Sequence, residues 1–515
     1  MTLDPAIADA WSRLPDYLGA HVLVSLTALA IGLAVSLPVA LFAIRRPRLR
    51  ALLLAVASVV QTIPGLALLA LFYPLLLGAA SLTARFLGFD FSALGFLPSV
   101  LALALYSMLP VIRNTIAGVE GVDPSLHRAA QGVGMTERQS LFMVELPLAL
   151  PVIMAGIRTA AVWVIGTATL ATPIGQTSLG NYIFSGLQTQ NWVSVLFGCA
   201  AAALLALAVD QLLALVERGA GSRRRGPVVA GLAGLALVVA LALLPGLGRA
   251  KASYVVGAKT FSEQYILAAL IAQKLEANGL SVRRREGLGS SIIFDALAAN
   301  EIDAYVEYTG TIWANLMKRT DIRPREQTLK EVAEWLKRER GVTLVESLGF
   351  ENAYALAMKK SEAERLGIRS IADLARHSQT MTIAGDYEFL SRPEWAAIRK
   401  AYGLNFKAER VMQPEFMYPA AGHEVDVISA YTSDGRIAQF DLVVLADPKG
   451  AVPPYDAVLL FSPGRADDAT LAEALKPLSG AIDVALMREA NLRANKGQSP
   501  EVVAKWMAER LKPPQ

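Results

Sequence analysis

Six long apolar runs fill the first half of this chain, and the second half has none. They lie near residues 21–44, 52–77, 96–117, 150–172, 193–216 and 228–247. A helix needs about 20 mostly apolar residues to cross a bilayer, so each run is long enough to span. Pro64 and Pro110 interrupt the second and third runs, and Arg158 lies in the fourth. Packed bundles tolerate such breaks because neighbouring helices satisfy the freed polar groups. With 54% hydrophobic and 18% charged residues among 515, the chain is too apolar to be wholly soluble. Its single cysteine, Cys199, excludes an internal disulfide framework. His21, His127, His377 and His423 show no metal-ligand spacing, so no metal or other cofactor is expected. A formal net charge of +4 is too small to argue for nucleic acid.

Arginines orient the bundle. Arg45, Arg46, Arg48 and Arg50 lie between spans one and two, and Arg128 and Arg138 between three and four. Arg218, Arg223, Arg224 and Arg225 lie between five and six, while the opposite joints hold little beyond Arg85. Cytoplasmic joints gather Lys and Arg, so the N-terminus and everything after span six are expected outside. The N-terminal stretch has Asp4, Asp9 and Asp16 against Arg13, unlike the cationic start of a signal peptide, so span one reads as retained.

The joint from about 118 to 148 is the longest on the cytoplasmic side. Asp123-Pro124-Ser125 signals a helix start. Gly132 and Gly134 then break that helix, and a second one is expected over Met135–Leu146, stopped by Pro147. Two short helices about a glycine turn make a knob suited to a groove on a partner.

After about residue 250 strands alternate with amphipathic helices, the pattern of open parallel α/β sheets. Strands are expected at Tyr254–Gly257, Ser281–Arg285, Asp303–Tyr308, Thr343–Glu346, Met381–Ala384, Val425–Ser429 and Leu442–Ala446. About 265 residues exceed one such sheet, so two lobes are expected. Ligands of these folds bind beyond the carboxyl ends of strands. Those ends here are polar turns that also carry aromatics, including Tyr305, Tyr308, Tyr354, Phe389, Trp395, Tyr418 and Tyr431. Ring faces suit a quaternary ammonium, which has no N–H to donate and is held by cation–π attraction.

Two resemblances sharpen this reading. Arg128-Ala129-Ala130, Gly134, Val144 and Leu146-Pro147 fall on the spacing of the cytoplasmic signature loop of ABC-importer permeases, with Arg128 replacing its acidic residue and Val144 its Ile. The resemblance implies that this loop docks on a separate ATPase subunit, presented in two copies to two copies of this permease. The chain has no G-x-x-x-x-G-K-[ST] phosphate loop of its own. The stretch from about 254 to 510 resembles the substrate-binding proteins of glycine betaine, carnitine and choline importers. It does so at Lys259-Thr-Phe-Ser-Glu-Gln264, Tyr308-Thr-Gly-Thr311, Glu388-Phe-Leu-Ser-Arg392, Ala430-Tyr-Thr-Ser-Asp-Gly-Arg436 and Pro453-Pro-Tyr-Asp456.

Together these imply an α-helical transmembrane bundle followed by an α/β two-lobed periplasmic-binding-protein domain, in the bacterial inner membrane and surrounded by lipid. Residues 1–226 would be a permease with five core spans, 227–252 a sixth anchor and linker, and 253–515 the extracytoplasmic binding domain. By position in the motifs, Gln264, Tyr308, Thr311, Tyr354 and Tyr431 would line the cleft. Glu388, Phe389 and Arg392 would come next, Arg392 anchoring a ligand carboxylate. The segment Ile322–Leu329 lacks the Tyr or Trp that some members place in the cage wall, which leaves room for a bulkier trimethylammonium amino acid such as ergothioneine or carnitine. The implied function is uptake of quaternary-amine osmoprotectants, with no catalysis in this chain. Two alternatives stand beside it. One is a ligand-sensing membrane receptor, for which the cytoplasmic side offers no output domain. The other is a membrane enzyme using Glu307 and Glu388, for which no G-x-S-x-G elbow, Cys–His pair or metal cluster appears.

Overall fold

The computed structural model describes residues 5–88, 91–188, 191–222, 224–244, 253–319 and 321–511; the linker expected before Ser253 and Arg223 lie outside them. The chain divides into two compact units, Met1–Phe184 with Val193–Ala250, and Lys251–Gln515 with Ser185–Trp192.

In the first unit, six helices among the described residues are long and apolar enough to cross a membrane. They are Ala10–Ala43, Gly65–Leu87, Phe96–Glu120, Glu137–Ile174, Trp192–Gly221 and Arg225–Leu243. The second differs from the run expected at 52–77. Helix Pro47–Thr62 ends at Ile63, whose ψ of 126° is extended, and a new helix starts after Pro64. A residue before proline is pushed out of the helical region, and proline offers no N–H to continue the ladder. Pro110, in contrast, is absorbed inside Phe96–Glu120.

Small residues let the spans approach closely. A Cβ on Gly156 would stand 2.6 Å from Asn114 Cβ and 2.8 Å from Pro110 O, so span four lies directly on span three. His21 in span one is buried, with Nε2 donating to Ile165 O (3.0 Å) and Nδ1 accepting from Leu179 N (3.4 Å). Arg158 in span four forks Asp210 of span five (Nε and Nη2, both 2.8 Å) and reaches Glu217 at 3.0 Å. Pairing of this kind makes charge tolerable within a membrane segment.

The second unit has two lobes. The first carries β1 (Tyr254–Lys259), β2 (Val282–Leu288), β3 (Ala304–Tyr308) and β4 (Thr343–Glu351). The second carries β5 (Tyr354–Lys359), β6 (Thr382–Gly385), β7 (Ala408–Val411), β8 (Val427–Tyr431) and β9 (Leu442–Val444). The chain then returns to the first lobe as β10 (Asp456–Phe461). Strand orders are β2-β1-β3-β10-β4 and β7-β6-β8-β5-β9.

The sheets are mixed rather than all parallel. β10 runs antiparallel to both β3 and β4, and β5 antiparallel to β8 and β9. Each of these two strands follows a crossing between lobes and so enters its sheet from the crossing side. β10 is buried along its whole length, as a central strand covered on both faces should be. The crossings, Glu351 to Tyr354 and the stretch before Asp456, lie beside each other: Asn352 N donates to Tyr455 O at 3.0 Å. Strand ends of both lobes thereby face a shared cleft.

The Thr309-Gly310-Thr311 turn after β3 packs on this hinge. Thr309 Oγ1 donates to Pro454 O and accepts from Asp456 N, both at 2.9 Å. A Cβ on Gly310 would overlap the Tyr455 ring, which is 2% exposed and has no room to yield. Gly310→Ala should therefore destabilise the binding unit by about 1–3 kcal/mol, the usual overpacking cost, read as a lowered denaturation midpoint of the chain in lipid nanodiscs.

Candidate functional site

The cleft between the two lobes encloses about 300 Å³. The first lobe contributes the Thr260–Glu263 turn beyond β1, and Asn352 comes from the crossing. The second lobe contributes Asp386, Tyr387, Gln413, Tyr431 and the Ser433, Asp434 and Arg436 turn beyond β8. Asn491 reaches in from helix Val484–Asn495.

Glu263 organises this cleft. It stands in the first turn of helix Ser262–Ala277, where the helix dipole favours an anion. Its Oε1 accepts from Tyr308 Oη (2.5 Å) and Asn352 Nδ2 (3.0 Å), and its Oε2 from Ser433 Oγ (2.6 Å) and Asn491 Nδ2 (2.8 Å). A carboxylate offers roughly four lone-pair sites, so the protein occupies them all. What remains for a ligand is the negative charge. Burial raises the Glu263 pKa above the ordinary carboxylate value; the Ser433, Tyr308 and Asn491 donors oppose that rise and the Asp434 charge adds to it.

Charge in the cleft is unbalanced toward the negative. Asp386 and Asp434 join Glu263, and among the described lining residues Arg436 is the one cation. Arg436 is engaged with Asp434 (Nε to Oδ1 3.1 Å, Nη2 to Oδ2 2.6 Å) and lies 4.1 Å from the Tyr418 ring centroid. The arrangement suits a cationic head group that needs no acceptor.

The motif-derived residues fall into three groups. Tyr431 lines the cleft itself. Tyr308 is buried one layer deeper, donating to Glu263 and stacked on the cleft residue Phe261 with centroids 6.2 Å apart. Tyr354, paired with Tyr431 across β5 and β8, forms a buried aromatic cluster behind it. Its ring lies 4.9 Å from Tyr431, 5.3 Å from Phe389 and 5.5 Å from Tyr455, with Arg392 over its face at 5.1 Å. Gln264 and Thr311 are buried in the first lobe, Gln264 donating to Val306 O at 2.9 Å. The side chain of Glu388 lies outside the described residues. Glu307 is buried against Lys259 and accepts from Tyr305 Oη at 2.9 Å, away from the cleft wall.

Glu263, Asn352, Ser433, Asp434, Arg436 and Asn491 were not singled out from the sequence. Glu263, Ser433, Asp434 and Arg436 stand inside the polar turns that were. Asn491 lies in mid-helix, 228 residues from its partner Glu263, with no local signal.

In the first unit the cytoplasmic loop forms the expected knob with one correction. Asp123 caps helix Pro124–Gly132 through Ser125 N (2.8 Å), and Gly134 takes the left-handed turn at φ 83°. Thr136 then starts a helix through a reciprocal bond with Gln139. Pro147 does not stop it. A wider π-type turn at Leu141–Glu145 takes up the missing bond, and the helix continues to Ala168 as span four. Arg128 and Ala129 face solvent and Ala130 is buried. Glu145, largely buried, accepts from Ser140 Oγ (2.8 Å) and lies 3.0 Å from His127 Nδ1 and 3.7 Å from Arg45. Arg45 also pairs with Glu137, which fastens the knob to the joint after span one, and Arg50 pairs with Glu120 at the end of span three.

Residues 252–509 match a family described as the substrate-binding domain of the ABC-type glycine betaine transport system. Residues 30–222 match the binding-protein-dependent transport system inner membrane component. Over 495 residues the chain is 31% identical to an ergothioneine transport permease/ergothioneine binding protein of Helicobacter pylori, covering 92% of this chain and 86% of that one. It is 38% identical over 198 residues to a choline transport system permease protein of Bacillus subtilis, covering 38% of this chain and 84% of that one. A solved glycine betaine/carnitine/choline ABC transporter structure aligns at 28% identity and TM-score 0.46, over 50% of this chain and 98% of its own.

A cation in the cleft would compete with a proton for Glu263. Because its folded pKa lies above the ordinary 4.5, binding of a methylated ammonium should fade on acidification at a pH higher than that value. Stability runs the opposite way: the folded chain holds the extra proton between the unfolded and folded pKa values, so this group's contribution falls as pH rises through that window. Titrating choline against the chain at several pH values should show the acid loss. Glu263→Gln should weaken binding by about 2–5 kcal/mol and flatten the profile; an unchanged profile in that variant would remove Glu263 from recognition.

Proposed function

Since this chain belongs to the ABC-importer family in which an inner-membrane permease and its extracytoplasmic substrate-binding domain share one polypeptide, we propose that its cargo is a trimethylammonium zwitterion with further hydrogen-bonding groups, ergothioneine before all others. The chain carries the permease and the clamp; ATP hydrolysis sits on a separate subunit in these systems. We take that ATPase to dock on the knob at 123–145, in two copies on a permease dimer.

The observation that carries the reading is the filled acceptor set of Glu263. An ammonium bearing N–H groups needs acceptors to replace water, and a buried site that withholds them rejects it. A quaternary ammonium has no N–H and takes the charge alone, with the Tyr431 ring face as its second partner. Selection against primary amines then needs no clash.

The rest of the wall supports a ligand larger than choline. Gln413, Ser262 and Arg436 offer hydrogen-bond donors around the same volume. Choline could satisfy few of them, whereas a carboxylate and a thione-bearing imidazole could meet several. The relative covering 86% of its own length in the alignment is named for ergothioneine, which agrees. Glycine betaine, choline and carnitine form the second reading, favoured by the family description of residues 252–509 and by the permease relatives.

Calorimetry on the chain in lipid nanodiscs with ergothioneine, carnitine, choline, glycine betaine and arginine separates these. Ergothioneine should bind tightest and arginine not at all. Tyr431→Ala should cost about 1–2 kcal/mol for every methylated ligand. Arginine binding on a par with the methylated amines would defeat the proposal, and choline or glycine betaine binding tightest would select the second reading.

A further inference from the structure

The second crossing is a helix in two pieces, and the break between them lies deep. Helix Pro47–Thr62 rises along span three, Phe96–Glu120. Near its lower end Arg50 pairs with Glu120, and just past its upper end Ile63 O accepts from the Tyr106 hydroxyl. At 1.5 Å per residue the stretch from Glu120 to Tyr106 rises about 20 Å, well into a hydrocarbon core about 30 Å thick. Polar backbone is open at that depth, because the last carbonyls of a helix have no partner inside it. Ile63 N turns back to Val60 O (3.2 Å) and Thr62 Oγ1 donates to Val59 O (2.7 Å). The carbonyls of Gln61 and Thr62 receive no backbone N–H among the described residues, and the Gln61 amide nitrogen is buried without a partner. Spans three and four back the break: a Cβ on Gly65 would stand 3.3 Å from Thr167 and 3.9 Å from the Tyr106 hydroxyl. Its other side, at Thr62, Pro64 and Leu66, is exposed.

Non-helical backbone cannot face lipid at this depth; it stands only where protein or a water-filled path covers it. The C-terminal end of a helix carries partial negative charge, which favours a cation. We propose that the Thr62–Gly65 break is an intramembrane station for the quaternary ammonium of the cargo, on a watery path closed from the opposite side by a second copy of the permease. The inference rests on the cationic cargo and paired permease of the reading above. The Gln61 and Thr62 carbonyls supply the negative end of the dipole, and Tyr106 is a positioning residue that fixes the break through Ile63 O. Dipoles hold a methylated cation without donating or demanding a proton, and more weakly than a carboxylate does. A station on a path must bind well enough to admit its cargo and loosely enough to release it.

The test reads water and charge at the break directly. Thr62→Cys in a Cys199→Ser background, in liposomes with reagent on both faces, is treated with methanethiosulfonates bearing a trimethylammonioethyl, a hydroxyethyl or a sulfonatoethyl group. Each rate is divided by that reagent's rate with a free thiol in solution. Leu232→Cys in the same background, at an exposed position of span six, gives the rate for a membrane-facing site. Thiolate is the reacting form and needs water, so Thr62→Cys should react with the cationic reagent at least about tenfold faster than Leu232→Cys. The negative dipole should make the cationic reagent about tenfold faster there than the anionic one, with the neutral one between. A Thr62→Cys rate no higher than that of Leu232→Cys would overturn the station by removing its watery path. Equal normalised rates for the three reagents would overturn it too, leaving a path without preference for a cation. Neither result bears on which amine the clamp binds, because the reagents react in the membrane unit alone; calorimetry decides that separately.

Discussion

A carboxylate survives burial only if its lone pairs are met, and Glu263 meets its four from four separate stretches of chain. Tyr308 ends β3, Asn352 lies on the lobe crossing, Ser433 follows β8 and Asn491 comes from the C-terminal helices. Each bond to a charged acceptor contributes about 1.5–3 kcal/mol, against a desolvation cost of several kcal/mol. Losing one donor therefore costs more than one hydrogen bond. Ser433 is the donor from the second lobe, so the shell is complete only while the lobes are closed. Lobe closure then bears on the same side chain that lines the cleft.

The membrane unit is governed by another shortage, that of water for its backbone. Two prolines show two responses. At Pro64 the helix ends and restarts, which leaves Pro47–Thr62 too short to span and without buried residues. At Pro147 a π-type turn keeps the cytoplasmic helix continuous with span four. The second solution makes the knob a rigid extension of a membrane helix. Glu145 lies within that turn and collects His127 from the first knob helix and Arg45 from the joint after span one. The knob is thus tied both to span four and to the joint after span one.

How much of this could be read from residues follows from how local each signal is. Apolar runs and arginine-rich joints are local, and all six spans were visible; the slip at Pro64 arose because hydropathy runs on through a helix break. The helix stop expected at Pro147 failed because a wider turn is set by packing, not by the proline. Strand β10, Asp456–Phe461, is an apolar run that the sequence presents openly, yet its antiparallel insertion between β3 and β4 depends on a return across the lobes. β7 is short and exposed and offers no pattern at all. The polar turns located the cleft, but aromatic residues were given the leading part in them. Tyr308, Tyr354 and Phe389 are rings one layer behind the wall, while the acid and amides in front of them read as ordinary turn and helix residues.

That layering gives the clamp two tiers. Glu263 and Tyr431 stand at the front, on the cleft wall. The rings of Phe389 and Tyr455 around Tyr354 stand behind that wall. A substitution in front alters selectivity and affinity together, because the same atoms serve both. A binding domain tied to its permease works at fixed high local concentration and has more use for a clamp that releases than for one that binds as tightly as it can.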